Sequence, residues 1–217
     1  MIYRKNYRAF FEHENEIQEA VQKDEKVVRD LIKSDKCLTV AIYRHEGMLF
    51  LYMEALEKDL TPMELFPNLS KCLALWPKRD GMTPWAYMYP IYYHAIPEGI
   101  DEWKRSEKKI RRGRIAYLKE EKMFSYVYHH KAIVDEGLLE GDRYQFIALH
   151  EDILFSYFEE PKQFTHINIQ SNEPSRVIEE WIKADPESHF DHELSGEENF
   201  LLLPMMFSMG LEDLENE

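Results

Sequence analysis

His45-Glu46-Gly47-Met48-Leu49-Phe50-Leu51-Tyr52-Met53-Glu54 is written a second time as His150-Glu151-Asp152-Ile153-Leu154-Phe155-Ser156-Tyr157-Phe158-Glu159. Six of the ten positions are identical, the offset is 105 residues, and the same offset carries Trp76 onto Trp181. Each copy follows an apolar run, residues 38–43 in one half and 144–149 in the other. An apolar run, a polar tip and a second apolar run spell a β-hairpin. Self-similarity at a fixed separation decides the architecture before any local reading. The chain therefore reads as two copies of one domain.

Working outward, residues 4–12 alternate around Tyr7, Phe10 and Phe11 and predict a first strand. Ile17, Ala20, Val21, Val27, Val28, Leu31 and Ile32 have helical spacing and predict an amphipathic helix over 14–34. After the hairpin, Asn68 is a candidate cap for a second helix through Leu69, Cys72, Leu73 and Trp76, ended by Pro77. Residues 87–93 predict a fourth strand, in which Pro90 marks a bulge or an edge. The order β-α-β-β-α-β is the ferredoxin-like unit.

It restarts at 114–119, with a helix over 122–139 carrying Met123, Tyr126, Val127, His130, Ile133, Val134 and Leu138. A short extra strand is expected within 165–169. Asn172, Pro174 and Ser175 announce a helix through Val177, Ile178 and Trp181, and residues 201–207 form a last strand. The acidic tail, 211–217, is expected to fray. The expected division is 1–95, a polar connector at 96–113, and 114–217 with a short insertion near 186–199.

Residues 48–53 and 153–158 are near-continuously apolar, which predicts burial on both sheet faces. A second sheet is the obvious cover. The expected fold is thus α+β, two tandem ferredoxin-like (βαββαβ) units packed as an intrachain dimeric α/β barrel, each half keeping a cavity for a small ligand.

Composition narrows the partners. Of 217 residues 44% are hydrophobic, enough for a core, and the net charge is −14. That sign opposes a nucleic-acid partner, so the cluster Lys104, Arg105, Lys108, Lys109, Arg111 and Arg112 reads as a solvated connector. No apolar stretch approaches a membrane span, and Met1-Ile2-Tyr3-Arg4-Lys5 opens no signal peptide. Cys37 and Cys72 look like ordinary thiols. A cytoplasmic protein without membrane or nucleic-acid partners, monomeric or homodimeric, is expected.

Tyr126 and His130 stand at i and i+4 on the apolar face of their helix. They are either core residues with satisfied polar atoms or an acid–base pair, since an imidazole titrates near working pH. The first copy has Ala20 and Asp24 there, so packing of the repeat does not demand Tyr and His. Trp76 and Trp181 are either core anchors or aromatic platforms under a ligand. His189, Asp191, His192 and Glu193 have carboxylate and imidazole ligands but no spacing that defines a metal site. No metal and no cofactor is expected, and no phosphate loop or nucleophile elbow is present.

Ile32-Lys33-Ser34, then Ala41-Ile42-Tyr43, Leu49-Phe50 and Glu54 resembles the first hairpin of the L-rhamnose mutarotase family. Cys72 and Trp76 sit where that family has Cys-x-x-Trp-Trp, and Tyr126-x-x-x-His130-x-x-Ile133-x-x-Glu136 is similar to its helix motif. Members are single ferredoxin-like domains that dimerise, so the resemblance implies a fused dimer. It implies His130 as acid/base, Tyr126 as its partner, and Trp181, Trp76 and Phe146 as sugar contacts. Leu75 and Glu180 replace the first Trp of the pair, and Val40 and Phe146 replace a family tyrosine. The implied activity is interconversion of aldose anomers, with a monosaccharide as substrate. The alternatives are a non-catalytic small-ligand (sugar) binding protein on the same scaffold, or another α/β-barrel activity such as haem or quinone oxidation.

Overall fold

The computed structural model of the chain describes residues 1–162, 168–169, 175–195 and 198–214. The main elements are, in order, β1 (Tyr3–Phe10), α1 (Glu14–Lys33), β2 (Cys37–His45), β3 (Met48–Ala55), β4 (Ala86–Tyr93), β5 (Ile110–Tyr117), α2 (Met123–Glu136), β6 (Phe146–His150), β7 (Ile153–Glu160), α3 (Arg176–Lys183), β8 (Leu201–Leu202) and β9 (Met205–Gly210). The fold is mixed α+β with antiparallel pairing between these strands. Two compact units share the described residues: 1–88, 97–109 and 203–214 in one, 89–96 and 110–202 in the other. Of the expected connector, residues 97–109 fall in the first unit, and 96 and 110–113 in the second. β9 also belongs with the first unit.

Both repeated stretches form hairpins with two-residue turns, pairing His45 with Met48 and His150 with Ile153. Glu46 and Gly47 adopt φ of 44° and 78°, and Glu151 adopts 55°, the left-handed conformations such turns need. Each tip also receives a backbone hydrogen bond from outside the hairpin. Phe11 N–H donates to the Gly47 carbonyl at 2.8 Å, and Leu118 N–H to that of Asp152 at 2.8 Å.

In the first unit the strands lie in the order β4 (Ala86–Met88), β1, β3, β2, β9. α1 buries Ile17, Ala20, Val21, Val28 and Ile32 against Ala9, Val40, Ile42, Leu49, Leu51 and Met53. Each fully buried branched side chain contributes about 1.5–3 kcal/mol, so this face alone explains why a helix forms over 14–33. The second unit has the order β8, β5, β7, β6, β4 (Tyr89–Tyr93), with a register shift between Pro90 and Tyr92 at the proline that predicted a bulge.

Three local expectations fail for identifiable reasons. Asn68 does not start a helix through Trp76; only the 3₁₀ turn Leu69–Lys71 forms. The Asp24 carboxylate reaches over from α1 and accepts from the backbone N–H of Asn68 and Leu69, at 2.9 Å each, and from the Asn68 amide at 2.6 Å. The chain then runs extended along β1, where Ala74 N–H donates to the Phe10 carbonyl at 2.9 Å. Asp24→Ala would strand these donors. It is expected to lower the unfolding free energy by about 2–3 kcal/mol in a urea titration. A change within about 0.5 kcal/mol would show that the carboxylate is dispensable.

The second difference is at 96–113. Ile100–Trp103 is a helical turn that buries Trp103 completely, and Arg105 follows it inside. Both meet Glu54. Trp103 Nε1 donates to Glu54 Oε1 at 2.9 Å, Arg105 Nη2 donates to Oε1 at 3.0 Å, and Arg105 Nη1 donates to Oε2. The Tyr52 hydroxyl adds a 2.6 Å bond to Oε1 and itself accepts from Arg4 Nε at 2.9 Å. Burial raises the Glu54 pKa, but the charge and hydrogen bonds of Arg105, the charge of Arg4 and the Tyr52 bond outweigh it and hold the carboxyl at about 2.

The third difference is at the last strand. Residues 201–207 split around Leu203-Pro204 into β8 and β9, which pair in different units. Leu211–Leu214 is helical, where fraying was expected; the rest of the tail lies outside the described residues. Of the expected strand over 165–169, Asn168–Ile169 pairs with Leu139–Glu140, and 165–167 lie outside the description. So do Asn172 and Pro174, while Ser175 caps α3, its hydroxyl accepting from Ile178 N–H at 3.0 Å. Among the described residues no helix is long and apolar enough to cross a membrane.

Candidate functional site

The second unit holds a cavity of about 410 Å³ between α2, α3 and its sheet, lined by Tyr92, Arg114, Tyr126, His130, Trp181 and Phe190 together with Gln145, Phe200 and aliphatic side chains. Helical spacing puts Tyr126, His130 and Ile133 on one face of α2, which ends at Gly137 in the left-handed conformation (φ 69°). Ser175 ties the two helices together, because its hydroxyl also donates to Glu136 Oε2 at 2.5 Å. That fixes Trp181, one and a half turns further along α3, against the same cavity.

The His130 ring stacks on Tyr126, with centroids 3.8 Å apart and planes at 18°, and meets Trp181 edge-on at 4.9 Å. Its Nδ1 lies 3.0 Å from the Tyr126 carbonyl oxygen. A carbonyl only accepts, so Nδ1 carries the hydrogen. Burial lowers the pKa to about 4, opposed only in part by that hydrogen bond, and the imidazole is neutral at pH 7. Nε2 is then a bare lone pair, with no protein partner among the described residues.

Around it stand polar groups that do not pair with one another. Tyr126 and Tyr92 are buried, and burial raises both phenols well above 10, so both hydroxyls stay protonated. Arg114 reaches this cavity from β5 with its guanidinium carbon 4.2 Å from the Phe200 ring centre and 5.1 Å from that of Phe158. Its Nε lies 3.4 Å from the Ser156 hydroxyl, a weak contact.

Of the residues singled out from sequence, the fold brings His130, Tyr126 and Trp181 together. Phe146 is elsewhere: its neighbours Gln145 and Ile147 line the cavity, while strand alternation turns Phe146 to the other sheet face, stacked on Tyr93 at 6.1 Å. Trp76 belongs to the first unit. It opens the small hairpin Trp76–Lys78 and Gly81–Thr83, stacked on Phe10 at 4.9 Å, so it is not the helical counterpart of Trp181. At the places of Tyr126 and His130 the first unit has the core residue Ala20 and the turn-binding Asp24. His189 is engaged by the Asp185 carbonyl and the Ser125 hydroxyl, and His192 by Asn199 at 2.6 Å. No group of three metal-ligating side chains occurs among the described residues.

Sequence reasoning passed over Arg114, Phe190 and Phe200. The signal for Arg114 was available: it shares strand parity with Ala116 and Leu118, which face the helices. Phe190 and Phe200 lie in and beside the insertion, where nothing in the pattern marks an inward face.

No protein-family model and no curated protein matches the chain. Three solved structures are similar. Two are described as a putative monooxygenase. The one from Lactobacillus acidophilus has 9% identity, TM-score 0.43, and coverage of 97% of this chain and 96% of the other. The one from Fusobacterium nucleatum has 8% identity, TM-score 0.44 and coverage of 96% and 94%. The third, an anthrone oxidase-like protein, has 8% identity, TM-score 0.35 and coverage of 97% of each chain.

None of these is a mutarotase. The expected membership in the L-rhamnose mutarotase family is therefore corrected, and with it the anomer-exchange activity, the carbohydrate substrate and the isomerase class. No carboxylate lines the cavity among the described residues.

Proposed function

We propose that the second unit binds a flat, largely apolar ring compound with a weakly acidic C–H or O–H bond, and that His130 removes that proton. The observation that carries this reading is the tautomer of His130: Nδ1 is committed to the Tyr126 carbonyl, and Nε2 is a lone pair inside an aromatic cavity. The proton moves to Nε2 and the bonding electrons remain on the ligand as an enolate or phenolate. The Tyr126 hydroxyl, a donor without a protein acceptor among the described residues, suits the oxygen on which that charge collects. Deprotonation of this kind is the first step of quinol or phenol oxidation, and ends as simple exchange when nothing follows it.

A ferredoxin-like duplication is the scaffold reading that accompanies it. Its support is the strand order, with fourth, first, third and second strands as neighbours in each unit. A repeated buried contact adds to it, Tyr52 with Glu54 and Tyr157 with Glu159 at 2.5 Å. Two free thiols, Cys37 and Cys72, suit a reducing compartment.

The test is deuterium exchange into the C1 methylene of 2-tetralone, a bicyclic ketone, followed by NMR in D₂O. Exchange accelerated by the protein and lost in His130→Gln is the expected result. Equal exchange with wild type and variant would reject the base.

A further inference from the structure

Arg114 is the one cationic side chain in the described lining of the cavity, and proton removal leaves it unused. It sits in the wall between two spaces. On one side is the aromatic cavity with His130. On the other is a second cavity of about 430 Å³, which Arg114 and Phe200 also line. The guanidinium is clamped by the faces of Phe200 and Phe158, and its only polar contact among the described residues is the 3.4 Å approach of Nε to Ser156. Among the described residues neither Nη group has a protein acceptor, in surroundings that disfavour an unpaired charge. Two other arginines show the contrast: Arg112, two residues earlier on the same strand, has Glu160 at 2.9 Å, and Arg105 of the first unit has Glu54.

The two spaces differ in charge. The second contains Glu187 and Glu198, whose carboxylates repel an anion. The first has no carboxylate in its described lining and adds the Tyr126 hydroxyl, 2% exposed and without a hydrogen-bond partner among the described residues. The Arg114 cation thus borders an aromatic space in which no described carboxylate repels an anion. The space there suits roughly two or three fused rings.

We infer that the cavity selects an aromatic carboxylate: a fused-ring acid whose ring lies against Trp181 and Phe190 and whose carboxylate is held by the Arg114 Nη groups, leaving the Tyr126 hydroxyl to the oxygen where charge collects on deprotonation. The inference deepens the proposed function and rests on the same cavity, with the carboxylate held apart from the carbon or oxygen that His130 deprotonates. Arg114 acts here as a binding and specificity residue.

The full chain is titrated at pH 7 with 2-naphthoate, its neutral isostere 2-naphthamide, and 2-naphthol, by calorimetry. A charge-assisted contact is worth about 1.5–3 kcal/mol, so naphthoate should bind at least about tenfold more tightly than naphthamide. Naphthol tighter than naphthoate would reassign Arg114 to a phenolic oxygen and overturn the carboxylate. Arg114→Gln should bring naphthoate and naphthamide within about threefold of each other, and Arg114→Lys should keep part of the preference, since it retains charge without the planar fork.

Equal affinities in the wild type, no binding of either ring, or an unchanged preference in Arg114→Gln would each overturn the inference. If Arg114→Gln does not fold, the wild-type comparison and Arg114→Lys still decide. The two readings fail separately. Loss of the anion preference with His130-dependent exchange intact removes only the carboxylate site, and anion preference with His130-independent exchange removes only the base.

Discussion

Arg105→Met should destabilise the first unit by about 3–5 kcal/mol, the size associated with removing one member of a fully buried ion pair. The side chains of Arg105 and Glu54 are 1% and 0% exposed. Taking away the guanidinium leaves Glu54 with Tyr52 and Trp103 as donors but no adjacent counter-ion in contact, so its charge becomes the dominant cost. Urea midpoints measured at pH 7 for wild type and variant give the difference. The double variant Glu54→Met/Arg105→Met should recover much of the loss, because it removes the stranded charge as well as its partner. A double variant as unstable as the sum of the singles would mean that packing around Trp103, and not charge pairing, holds this segment.

The same cluster sets an acid limit. The folded-state pKa of Glu54, about 2, lies below its ordinary value of 4.5. Its contribution is complete above pH 4.5 and disappears as pH falls from 4.5 toward 2, an effect of roughly 3 kcal/mol by linkage. In Arg105→Met that window should shrink.

His130→Gln should slow protein-catalysed exchange by about 10²–10⁴-fold. Glutamine keeps a side chain of similar reach but offers no basic lone pair. The wild-type pH profile adds a signature of its own. Since burial holds the free imidazole at about 4, the base is unprotonated throughout the neutral range, and its acid limb should fall near pH 4 and not near 6.5. An ionised product in the cavity favours imidazolium beside it, so the proton is accepted only when the ligand supplies the opposite charge.

The stability consequence has a definite sign. With the folded pKa below the unfolded one, the unfolded chain binds the proton first, so stability present above pH 6.5 is lost progressively as pH falls to about 4. The glutamine variant should lack that part of the acid slope. An acid limb at 6.5, or one retained in the variant, would place the titrating group elsewhere.

The parts of this fold that were legible are those where local pattern and burial agree. α1 shows its apolar stripe openly, and the two hairpins repeat because their strands are buried along nearly their whole length. His130, Tyr126 and Trp181 were legible because a helix face is a short-range property. Arg105 and Trp103 were hidden by their setting, a run dense in lysine and arginine whose decisive contact, Glu54, lies far back in the sequence. One sign was present, a lone tryptophan in a polar run. The second helix of the first copy was misread because its cap signal, Asn68, is taken by Asp24, a tertiary contact. The mutarotase resemblance has a similar origin. Ala41-Ile42-Tyr43 and Leu49-Phe50 are fully buried strand positions, so their identity reports packing demands more than chemistry.

The pairing of β9 with β2 has a consequence for how the protein is made. On the ribosome, residues 39–43 emerge long before residues 205–210, with which they pair. Until those arrive, Val40 and Ile42 border an unpaired edge, the kind of surface that invites association with other nascent chains. The first unit must therefore complete itself late, through a contact of very long sequence separation, and its maturation should be the slow step in biosynthesis.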